Sequence, residues 1–160
     1  MLIGDIVNIK EGTIVHQVNC QDRIGAGVSG VLIRKYPKVE ESYHNAFKTY
    51  SKEELFGKSI PVKVTNDLTI VNSYTQFNCG NSVKTGIVYT DTDKLIKVIK
   101  AVCESDNKVY VPYRIGCGLA GGNWDIIKSE LSTIDNLTIV AREEDLIREE
   151  DLIREGDIEL

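Results

Sequence analysis

The sequence predicts an α/β layered domain with a mixed sheet. Short strand-like segments rich in Val, Ile and Thr alternate with amphipathic helical segments. Two of the strands run into glycine-rich loops that open a helix, as parallel βαβ units do. A short turn, Thr65-Asn66-Asp67, joins two further strands and adds an antiparallel pair.

In chain order, residues 13–19 read as a strand and residues 28–36 and 39–50 as helices. Residues 59–64 and 68–73 are the strands joined by the short turn. Residues 93–104 place Leu95, Ile96, Ile99 and Val102 at three- and four-residue spacing, which predicts a helix with one apolar face. Asp91 or Thr92 is its expected N-cap. A strand at 108–112, a helix at 124–131 and a strand at 137–141 complete the body.

At 160 residues the chain has the size of one ordinary domain, and 42% hydrophobic residues suffice for a packed core. No stretch approaches the roughly 20 apolar residues of a membrane span. The first residues lack a basic region followed by an apolar run. Cys20, Cys79, Cys103 and Cys117 form no CxxC pair, which predicts reduced thiols in a cytoplasm and no metal site.

The net charge of −5 is concentrated at one end. Residues 143–160 hold nine acids and two arginines, a balance of −7, so residues 1–142 carry +2. A body so weakly basic argues against a nucleic-acid surface. The expected boundary therefore falls at 142/143. Beyond it EEDLIR occurs twice in succession, a six-residue step that fits no heptad. This acidic extension is either a solvated face or a partner-binding arm; no partner is legible.

The glycine loops carry the functional signal. Loop 1, residues 20–27, contains Gly25, Ala26 and Gly27; loop 2, residues 113–123, contains Gly116, Gly118, Gly121 and Gly122. Glycine lets backbone N–H groups approach a ligand, and a helix N-terminus adds partial positive charge, so each loop suits phosphate oxygens. Loops after parallel strands emerge at one edge of a sheet, where two of them can clamp a diphosphate. Both also match G-x-G-x-x-G, yet neither is followed by an acid closing the next strand, as a dinucleotide fingerprint requires. An NAD oxidoreductase is therefore disfavoured. Glycines that only make tight turns remain the alternative.

These segments resemble the macro domain family, which binds ADP-ribose. The likeness rests on Gly4-Asp5-Ile6, on IVHQVNCQDRIGAGVSGVLIRKYP at 14–37, on IVNSYTQF at 70–77 and on VPYRIGCGLAGGNW at 111–124. It is similar to the subgroup of ADP-ribose-1''-phosphate phosphatases and terminal ADP-ribose glycohydrolases. The resemblance implies a three-layer α/β/α domain with a mixed central sheet. It implies that Asp5 meets the adenine amino group with Ile6 beside the ring, although Asp5 also fits a turn or cap. Asn19 would bind the distal ribose. Gly25, Ala26, Gly27 and Val28 would line that ribose and one phosphate, and Gly116, Cys117, Gly118, Leu119, Ala120 and Gly121 the diphosphate. Tyr74, Thr75 and Gln76 would wall the distal end, and Trp124 would pack beneath loop 2.

The chain departs from the glycohydrolases of that subgroup at two places. Their catalytic aspartate falls at Ala120, and their nucleophilic lysine falls near Ser73 or Tyr74. Hydrolysis of ADP-ribose 1''-phosphate asks less, because its leaving group is a hemiacetal oxygen. His16 is the candidate proton shuttle, with a buried, hydrogen-bonded histidine as the alternative, and Asp22 is a weaker candidate. Cys117 lacks the C-x5-R frame of cysteine phosphatases and reads as a small loop residue. The expected protein is a cytoplasmic, metal-independent ADP-ribose-1''-phosphate hydrolase without cofactor, or alternatively a non-catalytic ADP-ribose reader.

Overall fold

Alternate residues of a strand face opposite sides of a sheet, and here both sides are apolar. Along residues 12–19, Ile14 and Val18 point one way and Val15 the other, all 4% exposed or less. Such a strand is stable only between two layers of helices. The computed structural model, which describes residues 1–147, has that arrangement. A six-stranded sheet contains β1 (Leu2–Ile3), β2 (Gly12–Asn19), β3 (Ser59–Lys63), β4 (Leu68–Gln76), β5 (Val109–Pro112) and β6 (Leu137–Ala141). Its order is β1-β6-β5-β2-β4-β3. All neighbours are parallel except β3 and β4, the pair joined by the short turn.

Helices α1 (Gly27–Lys35), α2 (Pro37–Thr49) and the short α3 (Lys52–Leu55) cover one face. There Leu32 and Val39 pack with Ile14 and Ile70, and Tyr43, Ala46 and Leu55 pack with Val18 and Tyr74. On the other face are α5 (Thr92–Ser105) and α6 (Trp124–Leu131), which follow a one-turn α4 (Ser82–Thr85). They bury Leu95, Ile99, Val102, Ile127 and Leu131 against Val15, Val71, Val109 and Val111. The domain is thus a three-layer α/β/α sandwich with a mixed sheet.

Several local expectations change. Val98, not Ile96, completes the buried stripe of α5, because Ile96 faces a surface groove beside α6. Asp91 is the cap, its carboxylate accepting from the Lys94 N–H at 3.0 Å. The strand expected at 68–73 runs on to Gln76, so Tyr74 and Thr75 lie inside the sheet. β1 has only two residues, too few to show a period. α3 escaped notice although Ser51 and Glu54 spell a capping box, with both reciprocal bonds at 3.1 Å. Residues 143–147 are helical; most of the acidic repeat lies outside the described residues. Among the described residues, no helix is long and apolar enough to cross a membrane.

Candidate functional site

The site follows from where the chain changes direction. β2 and β5 are parallel neighbours, but β2 feeds α1 on one face and β5 feeds α6 on the other. The connections diverge and leave a crevice beyond the strands' C-terminal ends. A cleft of about 760 Å³ occupies this place, and both glycine loops line it. Gly25, Ala26, Gly27 and Val28 form one side, and Gly116, Gly118, Leu119 and Ala120 the other. His16, Asn19 and Gln76 also border it.

The backbone donors of these loops are open. Ala26 is the N-cap of α1 and supplies no side-chain cap, so the N–H groups of Gly27, Val28 and Ser29 have no intrahelical partner. In loop 2 the N–H groups of Gly116, Gly118, Leu119 and Ala120 donate to no other group among the described residues. Those of Cys117 and Gly121 are already used, donating to the Arg114 and Gly118 carbonyls. Two glycines permit close backbone approaches, Gly30 of α1 to loop 1 and Gly122 within loop 2. A Cβ on Gly30 would overlap the Gly25 carbonyl oxygen, and one on Gly122 would come within 2.6 Å of the Gly116 oxygen.

Several expected site residues are turned from the cleft or already engaged by the protein. Tyr74 is fully buried, stacked on Tyr43 with centroids 5.6 Å apart, and its hydroxyl donates to the Tyr43 carbonyl. Thr75 is also buried; a register shift at the end of β2 sets Gln76 opposite Asn19, and only Gln76 reaches the cleft. Thr75 instead starts a polar chain under the floor. Its hydroxyl donates to Gln17 Oε1, Gln17 Nε2 donates to Thr90, and the Thr90 hydroxyl donates to the Gly116 carbonyl at 2.5 Å. Cys117 points into the core, where burial raises its thiol pKa to about 11, so it is no thiolate. Gly121 lies against Ser82, away from the cleft. Ile6 is buried in the core, and Asp5 caps the turn at Ile6–Asn8, its carboxylate accepting from the Val7 N–H at 3.1 Å. Trp124 packs edge-to-face on Tyr113 beneath loop 2, with its indole N–H unpartnered among the described residues.

His16 sits in the floor at 1% exposure. Nδ1 is 2.9 Å from Ser29 Oγ and Nε2 is 2.6 Å from Asn72 Oδ1. Burial lowers its pKa to about 4, so the ring is neutral at physiological pH. Asn19 is occupied mostly by its own loop. Its Oδ1 accepts from the Tyr43 hydroxyl and the Gln21 N–H, and its Nδ2 donates to the Arg23 carbonyl.

Asp22 does not line the cleft. It is 2.5 Å from His44 Nδ1 on α2, with Glu40 on the far side of the ring, and these carboxylates raise the His44 pKa, Asp22 foremost. The clamp that protonated His44 places on loop 1 is complete below its ordinary pKa of about 6.5 and fades as pH rises through the raised value. The protection of loop 1 amides, measured against their intrinsic exchange rate at each pH, is expected to fall over that rise in wild type and to stay constant in His44→Gln. Loop 1 protection that does not change with pH in wild type would contradict it.

Sequence reasoning missed Arg23, Ser29, Arg114 and Asp145, all of which line the cleft. The signal for the arginines was present. Both loops read Arg-Ile-Gly-x-Gly, at 23–27 and 114–118. Both arginines are exposed and form no ion pair among the described residues. Asp145 had no signal, because it belongs to the acidic extension. Arg142 donates to both its carboxylate oxygens, at 3.0 and 3.1 Å, and thereby holds it at the cleft.

Facing amide-rich turns, the first on the N-terminus of α1 and each with an arginine that forms no ion pair among the described residues, make an α/β domain whose cleft suits an anion. No family model matches the chain. Comparison with known proteins is more specific. The chain is 33% identical over 139 residues to an uncharacterized 17.5 kDa protein from the tk-vs intergenic region of Enterobacteria phage T4, covering 81% of this chain and 85% of that protein. It is 25% identical to the macrodomain of Mycobacterium tuberculosis DarG, with a TM-score of 0.63 over 89% of this chain and 97% of that one. Thermosipho africanus DarTG in complex with ADP-ribose superposes with a TM-score of 0.68 at 20% identity, over 88% of this chain and 40% of that one. The chain has the fold of these macrodomains and is similar to them in sequence.

Proposed function

We propose that this macro domain binds ADP-ribose and hydrolyses ADP-ribose 1''-phosphate, or a related 1''-substituted ADP-ribose, without a metal. The carrying observation is the pair of opposed loops whose free N–H groups suit the four non-bridging oxygens of a pyrophosphate. Thermosipho africanus DarTG, part of which shares this fold, was solved in complex with ADP-ribose. Arg23 and Arg114 add charge at the mouth, and the cleft volume suits a dinucleotide-sized ligand. Asp5 would meet the adenine at the end bordered by Asp145, and Asn19 the distal ribose. The catalytic body is residues 1–142, with 143–160 an acidic extension.

The buried, neutral His16 favours a second reading, a reader that binds ADP-ribose without turning it over. Ala120 at the position of the glycohydrolases' aspartate works against removal of ADP-ribose from proteins in either case. Calorimetric titration with ADP-ribose, beside NAD, AMP and inorganic phosphate, tests the binding claim. Release of inorganic phosphate from ADP-ribose 1''-phosphate separates the enzyme from the reader. Arg23→Ala and Arg114→Ala are each expected to weaken ADP-ribose about three- to tenfold at low salt, with less effect at high salt. An affinity unmoved in both variants would remove the arginines from the site.

A further inference from the structure

The hydrogen bonds beneath loop 1 have a fixed direction. Asn72 Nδ2 donates to the Val39 carbonyl at 3.2 Å, so the amide turns Oδ1 toward His16. Oδ1 can only accept; His16 Nε2, 2.6 Å away, must therefore carry the ring hydrogen. In the neutral ring Nδ1 is then bare and accepts. Ser29 Oγ lies 2.9 Å from Nδ1 and 3.3 Å from the Gln17 carbonyl, so both its protein partners are acceptors. The serine hydrogen is drawn inward, and the oxygen facing the cleft keeps only lone pairs.

We propose that Ser29 is a ligand-positioning residue whose oxygen accepts a hydrogen bond from a hydroxyl of the distal ribose, with the direction set by Asn72 and His16. This rests on the ADP-ribose reading. A phosphate oxygen also brings lone pairs and is repelled by such a group, while the neighbouring N–H groups of Gly27 and Val28 attract it. The cleft floor thus sorts its ligand, phosphate over the amides and hydroxyl over Ser29. Loop 1 follows β2, on the far side of β5 and β6 from Asp145 and Asp5, so the sugar concerned is the one remote from adenine. The low pKa of His16 is consistent, because a protonated ring would donate to Ser29 and occupy a lone pair of the oxygen that the ligand needs, while the hydroxyl hydrogen stays on the Gln17 carbonyl.

Two measurements test this. Nitrogen-15 NMR of the imidazole should show the Nε2–H tautomer at neutral pH, without any ligand; the Nδ1–H tautomer would overturn the proposal. Titrations of wild type and Ser29→Ala with ADP-ribose and with ADP, which lacks the distal ribose, test its use. Ser29→Ala is expected to weaken ADP-ribose about fivefold, the worth of one hydrogen bond, and to leave ADP unchanged. Asn72→Asp, which favours a protonated His16, should weaken ADP-ribose in the same sense, and adding Ser29→Ala should cause no further loss. Equal losses for ADP and ADP-ribose, or no loss for either, would refute it. If wild type binds neither nucleotide, the ADP-ribose reading falls, and the tautomer spectrum still decides the hydrogen-bond direction.

Discussion

Replacing Tyr74 by Ala is expected to lower the unfolding free energy by about 3–5 kcal/mol, as for other large core truncations. Tyr74 is fully buried at the centre of an aromatic cluster, parallel to Tyr43 and edge-on to Phe47. The resulting cavity cannot collapse easily between a sheet and a helix. The damage also reaches the site, because the Tyr43 hydroxyl accepts from the Arg23 N–H and donates to Asn19 Oδ1, and so holds loop 1. Tyr74→Phe should cost only about 1 kcal/mol, the share of the bond to the Tyr43 carbonyl. Chemical denaturation measures both. An alanine variant no weaker than the phenylalanine one would mean that Tyr74 does not pack as described.

Gly30→Ala should lower the melting temperature and weaken ADP-ribose at least tenfold. Intrinsic propensity argues the other way, since alanine in a helix is favoured over glycine by about 1 kcal/mol. The sign of the effect is therefore informative. The new methyl would overlap the Gly25 carbonyl oxygen and push loop 1 into the cleft, displacing the donors at 27–29. A variant that melts higher and binds normally would show that the close approach of loop and helix carries no weight.

The elements that repeat a period were legible from the chain. α5 and α6 have apolar residues at helical spacing, and β2, β5 and β6 are short β-branched runs. Their boundaries were found to within a residue or two. Loops 1 and 2 were legible because glycine is a local signal, and their placement at one cleft follows from the parallel strands before them. The individual roles were less so. Tyr74, Thr75 and Cys117 stand beside site residues in the chain, but a strand or tight turn alternates neighbours between ligand and core. One register shift at Val18/Asn19 decides that Gln76 faces the cleft and Thr75 does not.

The amino-acid order was enough to settle the layered fold and to mark the two glycine-rich turns, since each depends on interactions among residues a few positions apart. What each side chain can donate or accept was settled in three dimensions. His16, Ser29 and Asn72 lie on three different elements, up to 56 positions apart, and no local pattern announces their contact. Asp145 reaches the cleft only because β6 and β1 pair and carry the start of the acidic extension there. Hydrogen-bond direction is a property of assembled neighbours, each constrained by the next, and it exists only once the chain has folded.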